Sequence, residues 1–90
     1  MAKPLCVMKF GGTSVGDADC IRRAAAIVKS ATAKSPVVVV VSAMSGVTNR
    51  LVDAAHRAKA GQNDFLPGLI ADLRKQHTTT LDALVADPQR

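Results

Sequence analysis

The chain has 90 residues, with 12 Lys and Arg against 7 Asp and no Glu and a net charge of +5 with both His neutral, which is room for one small domain and not for a two-domain enzyme. Hydrophobic residues make up 48% and charged residues 21%, ordinary globular proportions that exclude a disordered tail or a low-complexity linker. A chain this short hides only about 60 to 65% of the surface its unfolded form exposes, so its core has little margin.

The first ordered stretch, Leu5 to Phe10, is apolar-rich and stops at Gly11-Gly12, as a buried strand stops at a turn. From Asp17 to about Lys34 the apolar positions Ile21, Ala24, Ala25, Val28 and Ala31 recur at helical spacing, with Arg22, Arg23 and Lys29 off the stripe. This predicts an amphipathic helix whose orphan N-terminal amides can be accepted by Asp17 or Asp19, and which Ser35-Pro36 breaks. Pro36 to Ser42 then holds five consecutive valines, Val37 to Val41. A β-branched run without alternation predicts a central strand covered on both faces, the usual condition in parallel sheets. A helix between two such strands makes a right-handed βαβ unit. That topology puts Gly11-Gly12 and Ser42-Ala43 on one sheet edge, where α/β folds bind ligands.

A second helix is expected from Thr48 or Asn49, with Leu51, Val52, Ala55 and Ala58 on one side and Gly61 as a left-handed stop. After Gln62-Asn63-Asp64 a longer helix tolerates Pro67 in its first turn, carries Leu66, Leu69, Ile70, Leu73, His77, Leu81, Leu84 and Val85 in register, and halts by Asp87-Pro88. No internal repeat or linker is visible.

Several functional classes fall away. The longest apolar run is five residues, against roughly 20 for a membrane-spanning helix. The segment before Gly11 is too short and interrupted for a signal peptide, so a cytoplasmic protein is expected. Cys6 and Cys20 form neither a CxxC nor a His-containing metal spacing and read as buried or free thiols. With no Trp or Tyr, only two Phe and its basic residues dispersed, the chain offers no stacking platform or basic tract for nucleic acid. His56 and His77 lack a second ligand at helical spacing and read as structural or solvated, so no metal site is expected. Met8 and Met44 read as packing residues.

Two stretches carry chemistry. In Lys9 to Gly16, KFGGTSVG, a strand end runs into a glycine-rich turn and then a helix. Glycines let backbone amides approach an anion closely, Thr13 and Ser14 add hydroxyl donors, and the Lys9 ammonium can offset charge that builds during phosphoryl transfer. The lysine precedes the glycines, so this is not a Walker A loop, nor is it GxGxxG. By spacing alone, a phosphate cradle and an ordinary turn both fit. In Ser42 to Asn49, SAMSGVTN, small and hydroxyl-bearing residues at a strand end suit an anionic group; Ser42 or Thr48 would equally serve as a helix cap.

Taken as a pair, KFGGTSVG and VVVVSAMSGVTN at Val38 to Asn49 resemble the opening of aspartate kinases, including those fused to homoserine dehydrogenase. The resemblance continues through Leu51 to Ala55 and the longer helix, covering essentially all 90 residues. It implies an α/β amino acid kinase fold, a three-layer arrangement with a parallel-rich sheet between helices, of which residues 1–90 would hold only the first β-α-β-α-α portion. The implied reaction moves the γ-phosphate of ATP, carried with Mg²⁺, to the β-carboxylate of L-aspartate, the first step toward lysine, threonine and methionine. By resemblance Lys9 is the catalytic lysine at the ATP phosphates, Phe10, Gly11, Gly12, Thr13 and Ser14 form the phosphate turn, and Ser42 and Thr48 bind substrate. The family's later glutamate, arginine and aspartate, its adenine and ribose contacts and its regulatory ACT domains have no match here. A chain without Glu cannot hold that glutamate, so the isolated chain is expected to be inactive.

A second reading, of another class, is a non-catalytic module that binds nucleotide or associates with a partner, or with itself, to cover open sheet edges. A third is another amino acid kinase, acting on carbamate, acetylglutamate, glutamate or uridylate; the SAMSGVTN stretch speaks against it.

Overall fold

A computed structural model describes residues 3–86, in the order β1 (Cys6–Phe10), α1 (Ala18–Thr32), β2 (Val37–Val41), α2 (Val47–Lys59) and α3 (Leu66–Leu84). This is the expected α/β class and the expected β-α-β-α-α order. The chain divides into two compact units, residues 1–45 and 46–90.

The first unit is the βαβ unit. β1 and β2 pair in parallel with Cys6 opposite Val37 and Phe10 opposite Val41, and α1 crosses between them and packs on β2. The side-chain period of two sorts the strands into faces. Cys6, Met8 and Phe10 are half-buried while Val7 and Lys9 are exposed. Phe10, Val39 and Val41 line an apolar groove of about 350 Å³ with Ile21, Ala24 and Val28 of α1. The other face, with Val7 at 62%, Val38 at 47% and Val40 at 45% exposure, is open.

The expectation of a central β2 covered on both faces is therefore not met among the described residues. The sheet they form has two strands, so each strand is an edge, and α1 covers one face only in part, leaving Val39 and Val41 on that side 40% and 60% exposed. The valine run is intrinsically suited to a buried strand, but the cover for its second face is a non-local matter that five residues cannot supply.

The start of α1 follows its sequence signal. Asp17 is extended at the N-cap, and its carboxylate accepts from the Cys20 amide at 2.9 Å. Of the predicted stripe, Ala24 is buried and Ile21, Val28 and Ala31 are half-buried, whereas Ala25 is exposed. The helix stops at Thr32, before Ser35-Pro36, as the amides of Lys34 and Ser35 both turn back to the Ala31 carbonyl.

In the second unit α2 begins at Val47, one residue before the expected start, and Gly61 with φ 81° follows its C-cap as the expected left-handed stop. The Gln62 amide reaches back to the Arg57 carbonyl at 2.9 Å there. Arg57 ties the turn to the next helix: it lies 4.7 Å over the Phe65 ring, with Asp53 at 4.0 Å. α3 carries its proline in the first turn as expected. Its half-buried line is Leu66, Leu69, Leu73, Gln76, Thr80 and Leu84. Ile70 at 54% and Leu81 at 42% are exposed, and Val85 lies past the helix end. His77 is exposed and bonds through Nδ1 to the Leu73 carbonyl at 2.7 Å, a local backbone contact as a structural histidine makes. The predicted stop at Asp87-Pro88 lies outside the described residues. Cys6 and Cys20 are free, half-buried thiols. No helix among the described residues is long and apolar enough to cross a membrane.

Candidate functional site

Parallel pairing brings the two sequence motifs to one edge of the sheet. The Ser42 amide donates to the Phe10 carbonyl at 3.1 Å, extending the ladder by one rung past β2, so the glycine turn and Ser42 leave the sheet side by side. A Cβ built on Gly12 would sit 3.7 Å from Ser42 Oγ. Within the turn the Ser14 amide donates to the Gly11 carbonyl at 3.0 Å. That amide is spent on the turn itself, while those of Gly12 and Thr13 have no backbone partner among the described residues.

Two residues without a predicted role hold this turn. Val15 is buried to 6% exposure and lines the groove beneath α1, so it pins the turn to the core. Gly16 accepts through its carbonyl from the Ser45 amide at 3.1 Å. A Cβ at Gly16 would lie 3.0 Å from the Gly12 carbonyl oxygen, tighter than side chains ordinarily sit, and at an ordinary 3.5 Å from the Ser45 Cβ, so it is the turn folding back on its own backbone that favours glycine there. Only Val15 left a signal in the sequence, as the lone aliphatic residue in a run of small ones.

Lys9 lies at the last rung but one of β1, opposite Val40. It is exposed and shares the open face with Val7 and Val38. On the other side of β1, under α1, a cavity of about 260 Å³ is lined by Phe10, Thr13, Ser14, Cys20 and Arg23 among others. There Arg23 donates to Cys20 Sγ at 3.3 Å.

The two helix starts differ in charge. α1 is capped by Asp17 and has Asp19 in its first turn, with Asp19 paired to Arg22 at 2.9 Å. The Cys20 amide, chiefly, together with the Cys20 side chain and Arg23, holds the Asp17 carboxyl below its ordinary value. A depressed carboxylate stabilises the fold above the unfolded-state value near 4, and that contribution is lost as pH falls through the lower folded-state value. Asp17→Asn is thus expected to lower the thermal midpoint at pH 6, by a deficit that shrinks as pH falls below about 4. A deficit unchanged by acid would contradict this role.

In α2 the N-cap is Gly46, left-handed at φ 78°, with no side-chain cap and no acidic residue in the first turn. Neither Ser42 nor Thr48 caps the helix, which removes the structural alternative for Thr48. Thr48 sits in that uncapped first turn, where the orphan amides and the helix dipole favour an anion. Lys9 to Ser14 and Ser42 are thus brought together in the first unit, and Thr48 opens the second.

The sequence model of the amino acid kinase family matches residues 4–87. The chain belongs to that family. Within it, the similarity is to aspartate kinases. The chain is 41% identical over 81 residues to the bifunctional aspartokinase/homoserine dehydrogenase 1, chloroplastic, of Arabidopsis thaliana, covering 90% of this chain and 9% of that protein. It is 52% identical over 64 residues to the aspartate kinase of Pseudomonas fluorescens (strain SBW25), covering 70% and 15% respectively. To the aspartokinase of Rickettsia felis it is 48% identical over 60 residues, covering 66% and 15%. The chain thus spans about 9 to 15% of the length of the curated relatives it matches.

Proposed function

We propose that residues 1–90 are the N-terminal part of an aspartate kinase domain and carry its phosphate turn and part of its aspartate site. The reaction is attack by a β-carboxylate oxygen of L-aspartate on the γ-phosphorus of ATP. The bond from that phosphorus to the β–γ bridging oxygen breaks, giving 4-phospho-L-aspartate and ADP. MgATP is a substrate complex here. Lys9 offsets the charge on the transferring phosphoryl group, and the backbone of Phe10 to Ser14 with the Thr13 and Ser14 hydroxyls cradles the phosphates. Ser42 sits beside the transferring group, and Thr48 with the uncapped start of α2 binds the substrate carboxylate.

The observation that carries this reading is the shared edge, where the Ser42 amide meets the Phe10 carbonyl at the mouth of the glycine turn. Catalysis needs the later glutamate, arginine and aspartate as well, so the chain alone binds without turning over. With ¹⁵N-labelled chain and millimolar MgATP, the amides of Gly11 to Ser14 and Ser42 are expected to shift. Absence of shifts there at saturating nucleotide would overturn the reading. Formation of aspartyl phosphate by the chain alone, abolished in Lys9→Ala, would overturn its incompleteness.

The open face of β2 favours, as a second reading, a non-catalytic module that associates through the sheet.

A further inference from the structure

We propose that Ser45 is a positioning residue for the phosphate turn, acting through its main-chain amide. It keeps the Gly12-Thr13 peptide turned so that an N–H, and not a carbonyl, faces a bound phosphate, a role that rests on Gly11 to Ser14 being the phosphate turn proposed above. In a trans peptide the carbonyl and the N–H point in opposite directions, and no cis peptide occurs among the described residues. The Gly11 carbonyl accepts from the Ser14 amide at 3.0 Å, so it points into the turn and the Gly12 N–H of the same peptide points out. The Gly12 carbonyl oxygen lies against the α-carbon of Gly16, 3.0 Å from where a Cβ would stand, so it too is turned inward and the Thr13 N–H outward. Two successive outward amides, with both carbonyls withdrawn, make a concavity for an anion.

The two peptides are not equally secure. The Gly11 carbonyl has a hydrogen bond of its own, whereas the Gly12 carbonyl accepts none among the described residues and has only the α-carbon of Gly16 behind it. Glycine at 12 has no Cβ to resist rotation. If Gly16 withdraws, the Gly12-Thr13 peptide is free to turn over and set its carbonyl oxygen against the phosphate. Gly16 is fixed through its own carbonyl, which accepts from the Ser45 amide at 3.1 Å. Val15 is buried in the core beside it, which fixes where the segment lies and leaves peptide orientation to the backbone contacts. The start of α1 supplies no substitute, because Asp17 caps it and Asp19 adds a second negative charge. The tie lies wholly within the first compact unit, residues 1–45. Through it the SAMSGVTN stretch, whose side chains Ser42 and Thr48 are assigned to substrate, also serves the nucleotide by its main chain.

The test is titration of the ¹⁵N-labelled full chain with MgATP, followed at the Gly12 and Thr13 amides. Ser45→Pro removes the donor and is expected to weaken binding about 10-fold, near the upper worth of one backbone hydrogen bond. Ser45→Ala keeps the amide and is expected to bind within about twofold of wild type. By linkage, whatever the bond adds to binding the ligand adds to the bond. In the wild-type chain, saturating MgATP is therefore expected to slow hydrogen exchange of the Ser45 amide about 10-fold beyond any slowing of the Val28 amide in α1. A bond that served the fold alone would show no such excess, and this readout decides the matter if Ser45→Pro loses its helical circular dichroism. Equal affinities for Ser45→Pro and wild type, equal losses in Ser45→Pro and Ser45→Ala, or a Ser45 amide slowed no more than that of Val28 would each overturn the role of Ser45 and leave the phosphate turn standing. Absence of shifts at Gly11 to Ser14 in the wild type would overturn the phosphate turn itself, and the role of Ser45 with it.

Discussion

Lys9→Ala is expected to weaken MgATP binding about 10- to 100-fold, the equivalent of one charge-assisted contact worth about 1.5–3 kcal/mol. Lys9 is exposed on the open face of β1 and makes no ion pair among the described residues, so its ammonium is not committed to the fold. The substitution should therefore leave the thermal midpoint where it was. This separates a ligand-binding lysine from a structural one. Calorimetric titration of wild type and variant with MgATP and MgADP supplies the measurement. The discrimination should shrink at 1 M salt, where the screening length falls to about 3 Å. Equal affinities for wild type and variant at low salt would remove Lys9 from the phosphate site and leave the glycine turn as a turn only.

The second large effect is structural. Val15→Asp is expected to cost about 3–5 kcal/mol, because it places a carboxylate without a partner where a valine now has 6% exposure. Val15→Ala removes two methyls from the same place and should cost about 1–3 kcal/mol. Only Val15, Ala24 and Val47 are buried among the described hydrophobics. Each buried side chain is thus a large share of what holds so small a core, and Val15→Asp should abolish cooperative unfolding of the βαβ unit. With no Trp or Tyr in the chain, far-ultraviolet circular dichroism and amide exchange are the suitable probes. An unchanged midpoint for Val15→Asp would mean that the turn is not anchored through this residue.

The elements themselves were legible from local signals. Gly11-Gly12 ended β1, Asp17 capped α1, the valine run made β2 and Gly61 stopped α2, each because the deciding chemistry lies within a few residues of the boundary. What was hidden depends on the rest of the sheet or on the path of the turn. The run Val37 to Val41 announces a strand suited to burial, but whether anything lies on its second face is a property of the rest of the sheet. Gly16 looked like one more small residue of the turn. Its preference for glycine comes from the Gly12 carbonyl oxygen, which the turn brings within 3.0 Å of where a Cβ would sit, a matter of loop geometry that residue identity alone does not announce. The start of α2 misled for a different reason: Thr48 is a good capping residue, yet the left-handed Gly46 lets the helix begin one residue earlier without a side-chain cap. In the site, the lysine, the glycine turn and Ser42 could be placed on one edge from topology alone. The face from which Lys9 rises required the strand register.

The two backbone bonds that flank the glycine turn, Ser42 to Phe10 and Ser45 to Gly16, bear on conformational entropy. A glycine-rich segment loses more freedom on ordering than any other, and a loose one would surrender that freedom each time a ligand bound. Here the segment between Phe10 and Gly16 is clamped at both ends to the residues leaving β2, with Val15 held in the core between the clamps. Most of the ordering cost is met when the βαβ unit folds. A phosphate bound at the turn, as proposed, would meet a preorganised loop and keep most of its interaction energy as affinity.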